Sequence, residues 1–467
     1  MERSRRECRT VVKDLGSFLD ENADTVARIA RPVSVRYEAT ALQHKLWRSE
    51  RYPVLLLEEP RLADGSPSRF RAVTNLTASR TVVARALRVS DPRRAAVEIA
   101  ARAGDRIDPV VVPRDRAPVK EVVLDAAQAT LAGFPVFTQH EADCGPYLTA
   151  AHATTCDPDT GIDNTAIQRV WAKPGRELPF FLVPTSHNRA NIQKFWERGE
   201  AAPIAFWIGH DAGVSIAAQA RLGYPESHWG HAGALIGEPL RLVATELFGE
   251  RLCVPADAEI VLEGHVPPAR LEREGPFAEY TGYAGAETES PVFVLERITH
   301  RRDAIYHDCG SGLPDALVAE GLLIEAELLR IGRGVSDAIR NVHVPIEGRR
   351  SLAVVQTADV PAQTARALLR AILEFRRIKM AVLVGEDIDI FDRTGVAWAI
   401  ATRAQPDRDA LVMSGVPGSL HDPSLPPGAT TTSKLGLDAT WTGGRRPPAN
   451  RVPDEVWRRL RLKDFGL

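Results

Sequence analysis

The chain has 467 residues, and its 59 lysines and arginines against 61 aspartates and glutamates give a formal net charge of −2. Apolar residues make up 44% and charged residues 26% of the sequence, a composition typical of globular proteins and not of disordered chains. This balance excludes a global basic surface for nucleic acid, and no apolar run reaches the roughly 18 residues of a membrane span. We therefore predict neither nucleic-acid binding nor a membrane span.

The cysteines and the N-terminal segment indicate the compartment. No C-x-x-C pair occurs among the five cysteines, which argues against a disulfide framework and against a thiolate zinc site. The basic start of the chain contains Asp14 before any apolar stretch, so no signal peptide is predicted. We expect a cytoplasmic protein whose cysteines are reduced. These are Cys8, Cys144, Cys156, Cys253 and Cys309.

At roughly 100–200 residues per domain, the length predicts two to four domains, and the pattern divides the chain into three blocks. The first, residues 1–118, is predicted to be an α/β domain. It has an apolar strand at residues 53–57 and a helix around residues 91–103, and it ends in a polar, proline-containing linker.

The second block, residues 119–305, is predicted to be β-rich. Short apolar runs recur between turn signals, a spacing typical of a barrel or a sandwich. The runs are residues 165–171, 179–183, 203–208, 259–262 and 292–298.

The third block, residues 306–467, is predicted to be an α/β domain that ends in a short basic helix at residues 453–462. Residues 362–375 carry apolar side chains at helical spacing with arginines on the opposite face. Three further runs are predicted as strands. They are residues 351–356, 380–384 and 410–413.

The segment EGPFAEYTGY, residues 274–283, is the most informative for chemistry. Glu274 and Glu279 lie five apart around a Gly-Pro turn that is predicted to lead into a strand at residues 280–283. Such a turn can bring both carboxylates to one cavity, where two like charges cannot both ionise easily, so one group becomes a proton donor near neutral pH. The alternative is a solvated surface turn.

A second group of candidates lies upstream. If residues 164–169 form a strand, the odd separation turns Asn164 and Arg169 to opposite faces unless a bulge intervenes. An asparagine oxygen together with the nitrogen of His187 suits Mn²⁺ or a similar ion better than it suits a thiolate zinc site. A hydrogen-bonded structural histidine is the alternative.

Several motifs together resemble the UbiD family of reversible aromatic and α,β-unsaturated acid decarboxylases. They run in family order over roughly residues 120–445. They are VPADAEIVLEG (254–264) before EGPFAEYTGY, GALIGEP (233–239), IYH (305–307), KMAVLV (379–384) with EDID (386–389), and SK (433–434) with LDAT (437–440).

The resemblance implies a mixed α+β chain whose central domain is a flavin-reductase-like split β-barrel, flanked by an N-terminal and a C-terminal α/β domain. It implies prenylated FMN as cofactor, with Mn²⁺ and K⁺ at the flavin phosphate. It matches Arg169, Glu274 and Glu279 to the family's catalytic network. The matched cofactor-binding residues are Asn164, Ile167, Arg169, His187 and Lys379, the lysine lying near the flavin phosphate.

The metal site departs from the family pattern. Asn164 and His187 match two of its ligands, but the third family ligand is a glutamate, and His228 stands at that position in the run SHWGHAG. An imidazole binds Mn²⁺ without adding negative charge. Glu226, two residues earlier, is the alternative ligand.

We accordingly expect non-oxidative decarboxylation of an aromatic, heteroaromatic or α,β-unsaturated acid with release of CO₂. Glu279 is the expected proton donor, a flavin prenyltransferase the supplier of the cofactor, and a homodimer or higher homo-oligomer the assembly. Available histidines favour an aromatic or heteroaromatic substrate. The candidates for its pocket are His140, Trp171, His210, His231 and residues 430–432.

Two other functions fit the same motifs. The first is an FMN-dependent oxidoreductase on the same barrel, although hydride transfer requires no Arg–Glu–Glu network. The second is a degenerate UbiD-like binding or assembly subunit, which His228 favours and the retained Arg169, Glu274 and Glu279 oppose.

Overall fold

The structure is a computed structural model that describes residues 13–426, 428–441, 446–448, 450 and 452–466. It is a mixed α+β chain. Within these residues no helix is long and apolar enough to cross a membrane. The four cysteines described are all free, and Cys8 lies outside the described residues.

The N-terminal block contains four helices and six short strands. The helices are α1 (Leu15–Glu21), α2 (Glu38–Arg48), α3 (Arg80–Ala86) and α4 (Ala95–Ala101). The strands are β1 (Val26–Ile29), β2 (Val33–Ser34), β3 (Val54–Leu57), β4 (Pro60–Arg61), β5 (Arg71–Thr74) and β6 (Val110–Val111). The predicted strand at 53–57 and the helix around 91–103 are confirmed by β3 and α4.

The central block contains thirteen strands and three helices. The strands are β7 (Val122–Leu124), β8 (Tyr147–Leu148), β9 (His152–Cys156), β10 (Asp163–Ile167), β11 (Val170–Trp171), β12 (Glu177–Pro179), β13 (Ala202–Ile208), β14 (Arg241–Thr245), β15 (Gly249–Pro255), β16 (Ile260–Val266), β17 (Leu271–Glu274), β18 (Thr288–His300) and β19 (Ile305–His307). The helices are α5 (His187–Glu197), α6 (Ala212–Ala217) and α7 (His228–Ile236).

The main central sheet has eight strands. Its order is β10-β9-β13-β16-β18-β12, with β17 and β7 also paired to β18. Side chains of β13 alternate between two apolar cores, with Ala205 and Trp207 in one and Phe206 and Ile208 in the other, because successive residues of a strand face opposite sides. Both faces are therefore covered.

The sheets of the first two blocks are joined by β19, which pairs in parallel with β5 in a four-stranded sheet of order β1-β3-β5-β19. Among the described residues, no strand pairing connects β10 with β12 to close the central sheet. The β-rich central block is confirmed, whereas the split barrel stays a prediction.

The C-terminal block contains five helices and five strands. The helices are α8 (Pro314–Arg333), α9 (Ala362–Glu374), α10 (Arg393–Arg403), α11 (Pro406–Asp409) and α12 (Asp454–Arg459). The strands are β20 (Ile339–His343), β21 (Leu352–Thr357), β22 (Met380–Gly385), β23 (Ala410–Pro417) and β24 (Thr431–Ala439).

These strands form one sheet in the order β20-β21-β22-β24-β23. The helix predicted at residues 362–375 is α9, and it packs Ala365, Leu368 and Ile372 inward while Arg366 and Arg370 stay exposed. The helical spacing of its apolar residues therefore identified the face that covers the sheet.

Glu325 of α8 links the N-terminal and C-terminal blocks. Its carboxylate accepts hydrogen bonds from Arg80 of α3 at 2.9 and 2.6 Å, and from His343 Nδ1 of β20 at 2.8 Å. Burial alone would raise the pKa of this carboxyl. The charges and hydrogen bonds of Arg80 and His343 outweigh burial and lower the pKa from 4.5 to about 2.

We expect Glu325→Gln to destabilise the fold by about 3 kcal/mol at pH 7. A carboxyl whose pKa is lower in the folded than in the unfolded state stabilises the fold above its unfolded pKa. That contribution is lost as the pH falls from 4.5 toward about 2. Calorimetric melting temperatures should therefore differ most at neutral pH and converge in acid. A difference that is independent of pH would contradict this assignment.

Candidate active site

Arg169 and Glu274 form a shielded ion pair at the edge of the central block. Glu274 is the last residue of β17, and Arg169 lies between β10 and β11. Arg169 Nε and Nη2 donate to the two oxygens of Glu274 at 2.8 and 2.9 Å, in the forked geometry that holds a guanidinium most firmly. The side chain of Glu274 is 0% exposed and that of Arg169 10%, so solvent screens the pair little.

The end of β10 decides where Arg169 points. Asn164 lies within β10, but that strand ends at Ile167, and Arg169 follows the break before β11. Residues five apart face opposite sides only within one continuous strand, so that rule does not apply to Asn164 and Arg169. The side chain of Asn164 bonds to α5, and that of Arg169 bonds to the EGPFAEYTGY segment.

Glu279 lies in a tight loop that brings it to the same guanidinium. Arg169 Nη1 donates to Glu279 Oε1, so one arginine joins both carboxylates of the motif. The predicted strand at residues 280–283 is wrong, because the Glu279 N–H donates to Tyr283 O at 2.8 Å and the Gly282 N–H to Glu279 O at 2.9 Å. Gly282 has a φ of 86°, which a glycine adopts without strain and which turns the chain back.

Aromatic rings and one histidine complete the surroundings of Arg169. Its guanidinium lies 4.4 Å from the ring centroid of Phe181 and 5.0 Å from that of Phe277. His421 Nδ1 lies 3.5 Å from Glu279 Oε2. No sequence motif marks His421, since it follows Glu279 by more than a hundred residues in an irregular loop and no spacing rule joins the two.

The charges in this cluster support one another. Burial alone would lower the pKa of the Arg169 guanidinium, but the hydrogen bonds and charge of Glu274, followed by those of Glu279, raise it. Burial lowers the pKa of His421, although the charge of Glu279 partly opposes this shift. The site therefore combines a permanent cation with two glutamate carboxyl groups and an imidazole that burial keeps neutral at pH 7.

Strand β10 is bonded to the first turns of the two helices that carry the other predicted metal ligands. Asn164 Nδ2 donates to Asn188 Oδ1 at 2.7 Å, which ties β10 to the first turn of α5 beside His187. The preceding residue, Asp163, accepts the His228 backbone N–H at 2.9 Å at the start of α7. Two helix starts thus converge on adjacent residues of one strand.

His228, the third predicted ligand, has an unpaired ring nitrogen. Its Nε2–H donates to the carbonyl of Ala220 at 3.2 Å, whereas its Nδ1 is buried and has no hydrogen-bond partner among the described residues. Burial lowers its pKa to about 4, so the ring is neutral at pH 7 and Nδ1 carries a lone pair. Glu226 instead pairs with Arg106.

The predicted ligands Asn164, His187 and His228 are few for a metal site. Among the described residues no cluster of three His, Cys, Asp or Glu side chains could hold a metal ion. The set of Asn164, His187 and His228 offers two such side chains and one amide oxygen. Its chemistry fits a divalent cation that accepts mixed oxygen and nitrogen ligands.

Lys379 lies in the C-terminal block, immediately before β22. Its ammonium donates to the two oxygens of Asp422 at 2.9 and 2.7 Å and to Ser424 Oγ. It lines an open cavity of about 240 Å³.

The residues suggested for the substrate pocket differ in their surroundings. His210 and His231 are buried at 1% and 4% exposure, and burial lowers their pKa values to about 3 and about 4. His140 lies 3.7 Å from Asp143. Among these candidates, Thr432 lines the cavity beside Lys379.

Three family models match the chain in succession. They describe the N-terminal domain, the Rift-related domain and the C-terminal domain of 3-octaprenyl-4-hydroxybenzoate carboxy-lyase, and they match residues 18–103, 110–314 and 318–439. Together they span the fold from α1 to β24.

Two relatives named anhydromevalonate phosphate decarboxylase resemble the chain in sequence. The one from Methanosarcina mazei is 31% identical over 430 residues, covering 92% of this chain and 95% of that protein. The one from Methanothermobacter thermautotrophicus is 33% identical over 317 residues, 68% of this chain and 74% of that protein.

Solved structures resemble the whole chain. The UbiD-class enzyme HmfF from Pelotomaculum thermopropionicum, in complex with FMN, has a TM-score of 0.88 and 30% identity, covering 97% of this chain and 100% of that one. A vanillic acid decarboxylase from Sedimentibacter hydroxybenzoicus has a TM-score of 0.80 at 24% identity over 98% of this chain and 99% of that one, a likeness of fold alone.

Proposed function

Because the chain belongs to the UbiD family and is a carboxy-lyase, we propose that it removes CO₂ from a conjugated carboxylic acid with the help of prenylated FMN. We also propose that the central block forms the family's split barrel around this cofactor. The observation that carries the proposal is the cluster of Arg169, Glu274 and Glu279, in which one guanidinium holds both carboxylates.

Each residue of the cluster has a separate role in the proposal. Glu274, fully buried, fixes the orientation of Arg169. Arg169 orients the substrate carboxylate by charge. Glu279, 14% exposed on its side chain and held only by the remaining nitrogen of Arg169, gives its proton to the carbon that loses CO₂. When bound, the prenylated flavin supplies the electron sink that an sp² carbon lacks.

The same proposal assigns Asn164, His187 and His228 to a divalent metal that neutralises the flavin phosphate. The orphaned, buried Nδ1 of His228 supports this assignment, because an unsatisfied buried nitrogen is costly unless something binds it. Lys379 and Ile167 complete the expected cofactor contacts. For Lys379 this requires its ammonium to leave Asp422, to which it is bonded here.

Among the possible substrates, an α,β-unsaturated aliphatic acid is favoured over an aromatic one. Both curated relatives are named for an anhydro acid, and loss of water from a hydroxy acid creates the conjugated double bond that this chemistry requires. His210 and His231 are 1% and 4% exposed and so offer little surface to a substituent of an aromatic ring, which weakens the reason for preferring one.

The cofactor can be tested without knowing the substrate. The protein is produced with a flavin prenyltransferase, and the ligand released on denaturation is identified by mass spectrometry, with the absorption spectrum of the intact protein as a second readout. Prenylated FMN is the expected ligand. Finding only unmodified FMN, together with NAD(P)H oxidation, would instead support a flavin oxidoreductase.

His228→Glu is expected to preserve or tighten binding of Mn²⁺. The substitution restores the family ligand, and a carboxylate adds a negative charge that the neutral imidazole lacks. Metal content and Mn²⁺ titration of the purified protein measure the effect. Glu226→Gln is the matched control and should leave the metal unchanged, because Glu226 pairs with Arg106. If His228→Glu abolishes metal binding in a folded protein, His228 does not occupy the ligand position.

A further inference from the structure

The cavity beside Lys379 is strongly cationic. Five of its lining residues are cationic and one, Asp422, is acidic. The cations are Arg349, Arg376, Arg377, Lys379 and Lys434. Hydroxyl groups of Ser419, Ser424 and Thr432 also line it. This combination of cations and hydroxyl donors is typical of a site for an anion with several oxygens.

The acid does not neutralise the cavity. Asp422 is bonded to Lys379, and Glu320, outside the lining, pairs with Arg377, so two of the five cations are matched by carboxylates and three are not. Lys434 donates to the carbonyls of Leu373 and Phe375, which are neutral groups. Burial, followed by the charge of Arg376, lowers the pKa of Lys434 to about 8, so it remains mostly protonated at pH 7.

Two of the arginines are fixed by contacts with the protein. Arg376 Nε donates to the carbonyl of Gly418 at 2.7 Å. Arg349 lies 4.6 Å from the ring centroid of Trp47 and donates to the carbonyl of Gly312. Arg349 has a φ of 49°, a left-handed conformation that a side-chain-bearing residue adopts rarely and that is often found at binding sites.

The cavity adjoins the proposed proton donor. Its lining includes Thr281, two residues after Glu279. It also includes Ser419 and Asp422, which flank the imidazole that lies 3.5 Å from Glu279. Ser419 Oγ lies 2.6 Å from the hydroxyl of Tyr280. A ligand held in the cavity would therefore be next to the reacting end of the site.

We propose that this cavity binds a phosphate monoester carried by the substrate, so that the acid is anchored at one end by its phosphate while its carboxylate meets Arg169. The inference rests on the proposed decarboxylation. It agrees with the name of the two relatives, which contains a phosphate. It also gives a purpose to three cations of the lining that pair with no carboxylate among the described residues, namely Arg349, Arg376 and Lys434.

A phosphate monoester has a second source, namely the flavin itself. The metal residues that would hold the flavin phosphate belong to β10, α5 and α7, whereas the cavity is built from β24, from the segments that precede β21, β22 and β24, and from Thr281. Lys379 is common to both assignments. The experiment must therefore report cofactor retention separately from substrate preference.

The test uses the holoenzyme produced with a flavin prenyltransferase, and two substrates, anhydromevalonate phosphate and the same acid without its phosphate. We expect kcat/KM to favour the phosphorylated acid by about 100-fold or more, and Arg376→Gln to reduce that preference about tenfold, the effect of losing one charge-assisted hydrogen bond. Arg370→Gln removes an exposed charge of α9 outside the cavity and should leave the preference unchanged.

Two further measurements separate the possible failures. Titration calorimetry with inorganic phosphate should show binding to the native holoenzyme that Arg376→Gln weakens, and the flavin-to-protein ratio should not change. Equal kcat/KM for the two acids would overturn the proposal, as would loss of flavin in Arg376→Gln with the preference retained. If neither acid reacts, the proposed substrate is wrong, and the calorimetry with inorganic phosphate decides whether the cavity is a phosphate site. Binding that Arg376→Gln weakens would support a phosphate site in the cavity. No binding to the native holoenzyme would overturn it.

Discussion

Glu279→Gln is expected to lower the decarboxylation rate by about 10²–10⁴-fold, the usual contribution of a general acid. The amide keeps the shape of the side chain and can still bond to Arg169, but it has no proton to transfer. Glu279 is the carboxylate held by one arginine nitrogen only, whereas Glu274 is locked by two bonds of 2.8 and 2.9 Å. This asymmetry supports the proposal that Glu279, and not Glu274, exchanges the proton.

The informative measurement follows two rates in the same sample, CO₂ release and exchange of the substrate-derived carbon-bound proton with solvent deuterium. Both should fall together in Glu279→Gln, while the flavin-to-protein ratio stays constant. Glu287→Gln, in the same loop and exposed, is the matched control and should react like the native protein. Near-native rates of both processes in Glu279→Gln would show that Glu279 is not the acid.

The sequence predicted the paired carboxylates because their chemistry is local. Glu274 and Glu279 lie in one short segment, and a Gly-Pro turn between them is visible in the residues themselves. The sequence did not predict the loop after Glu279, because the segment from Tyr280 to Tyr283 has the composition of a strand. Backbone hydrogen bonds between Glu279, Gly282 and Tyr283 override that preference.

Contacts between distant segments were beyond sequence reasoning. His421 approaches Glu279, and Phe181 covers Arg169, only because the fold brings residues 418–426, which follow β23, and the segment after β12 to the same place. The cationic cavity could not be predicted for the same reason, since its arginines come from two separate turns and no spacing rule relates them. Helix α9 and strand β3, by contrast, were predictable from single segments. The apolar residues of α9 recur at helical spacing, and those of β3 form one continuous buried run.

Arg169→Met is expected to destabilise the protein by about 3–5 kcal/mol and to abolish measurable decarboxylation. The side chain of Glu274 is 0% exposed, and removing its partner leaves a buried charge without compensation. The double variant Arg169→Met with Glu274→Met should regain much of the lost stability, since it removes both charges, but it should stay inactive.

Arg169→Lys separates charge from geometry. Lysine keeps the positive charge but cannot make the forked pair with Glu274 that fixes the orientation of the cation toward Glu279. We therefore expect most of the stability to return, with the rate still lowered by orders of magnitude. Chemical denaturation and CO₂ release, measured on all three variants, provide the comparison. If the double variant is no more stable than Arg169→Met, the buried charge of Glu274 is not the cause of the loss. If Arg169→Lys reacts at the native rate, charge alone suffices, and the forked geometry has no role in the reaction.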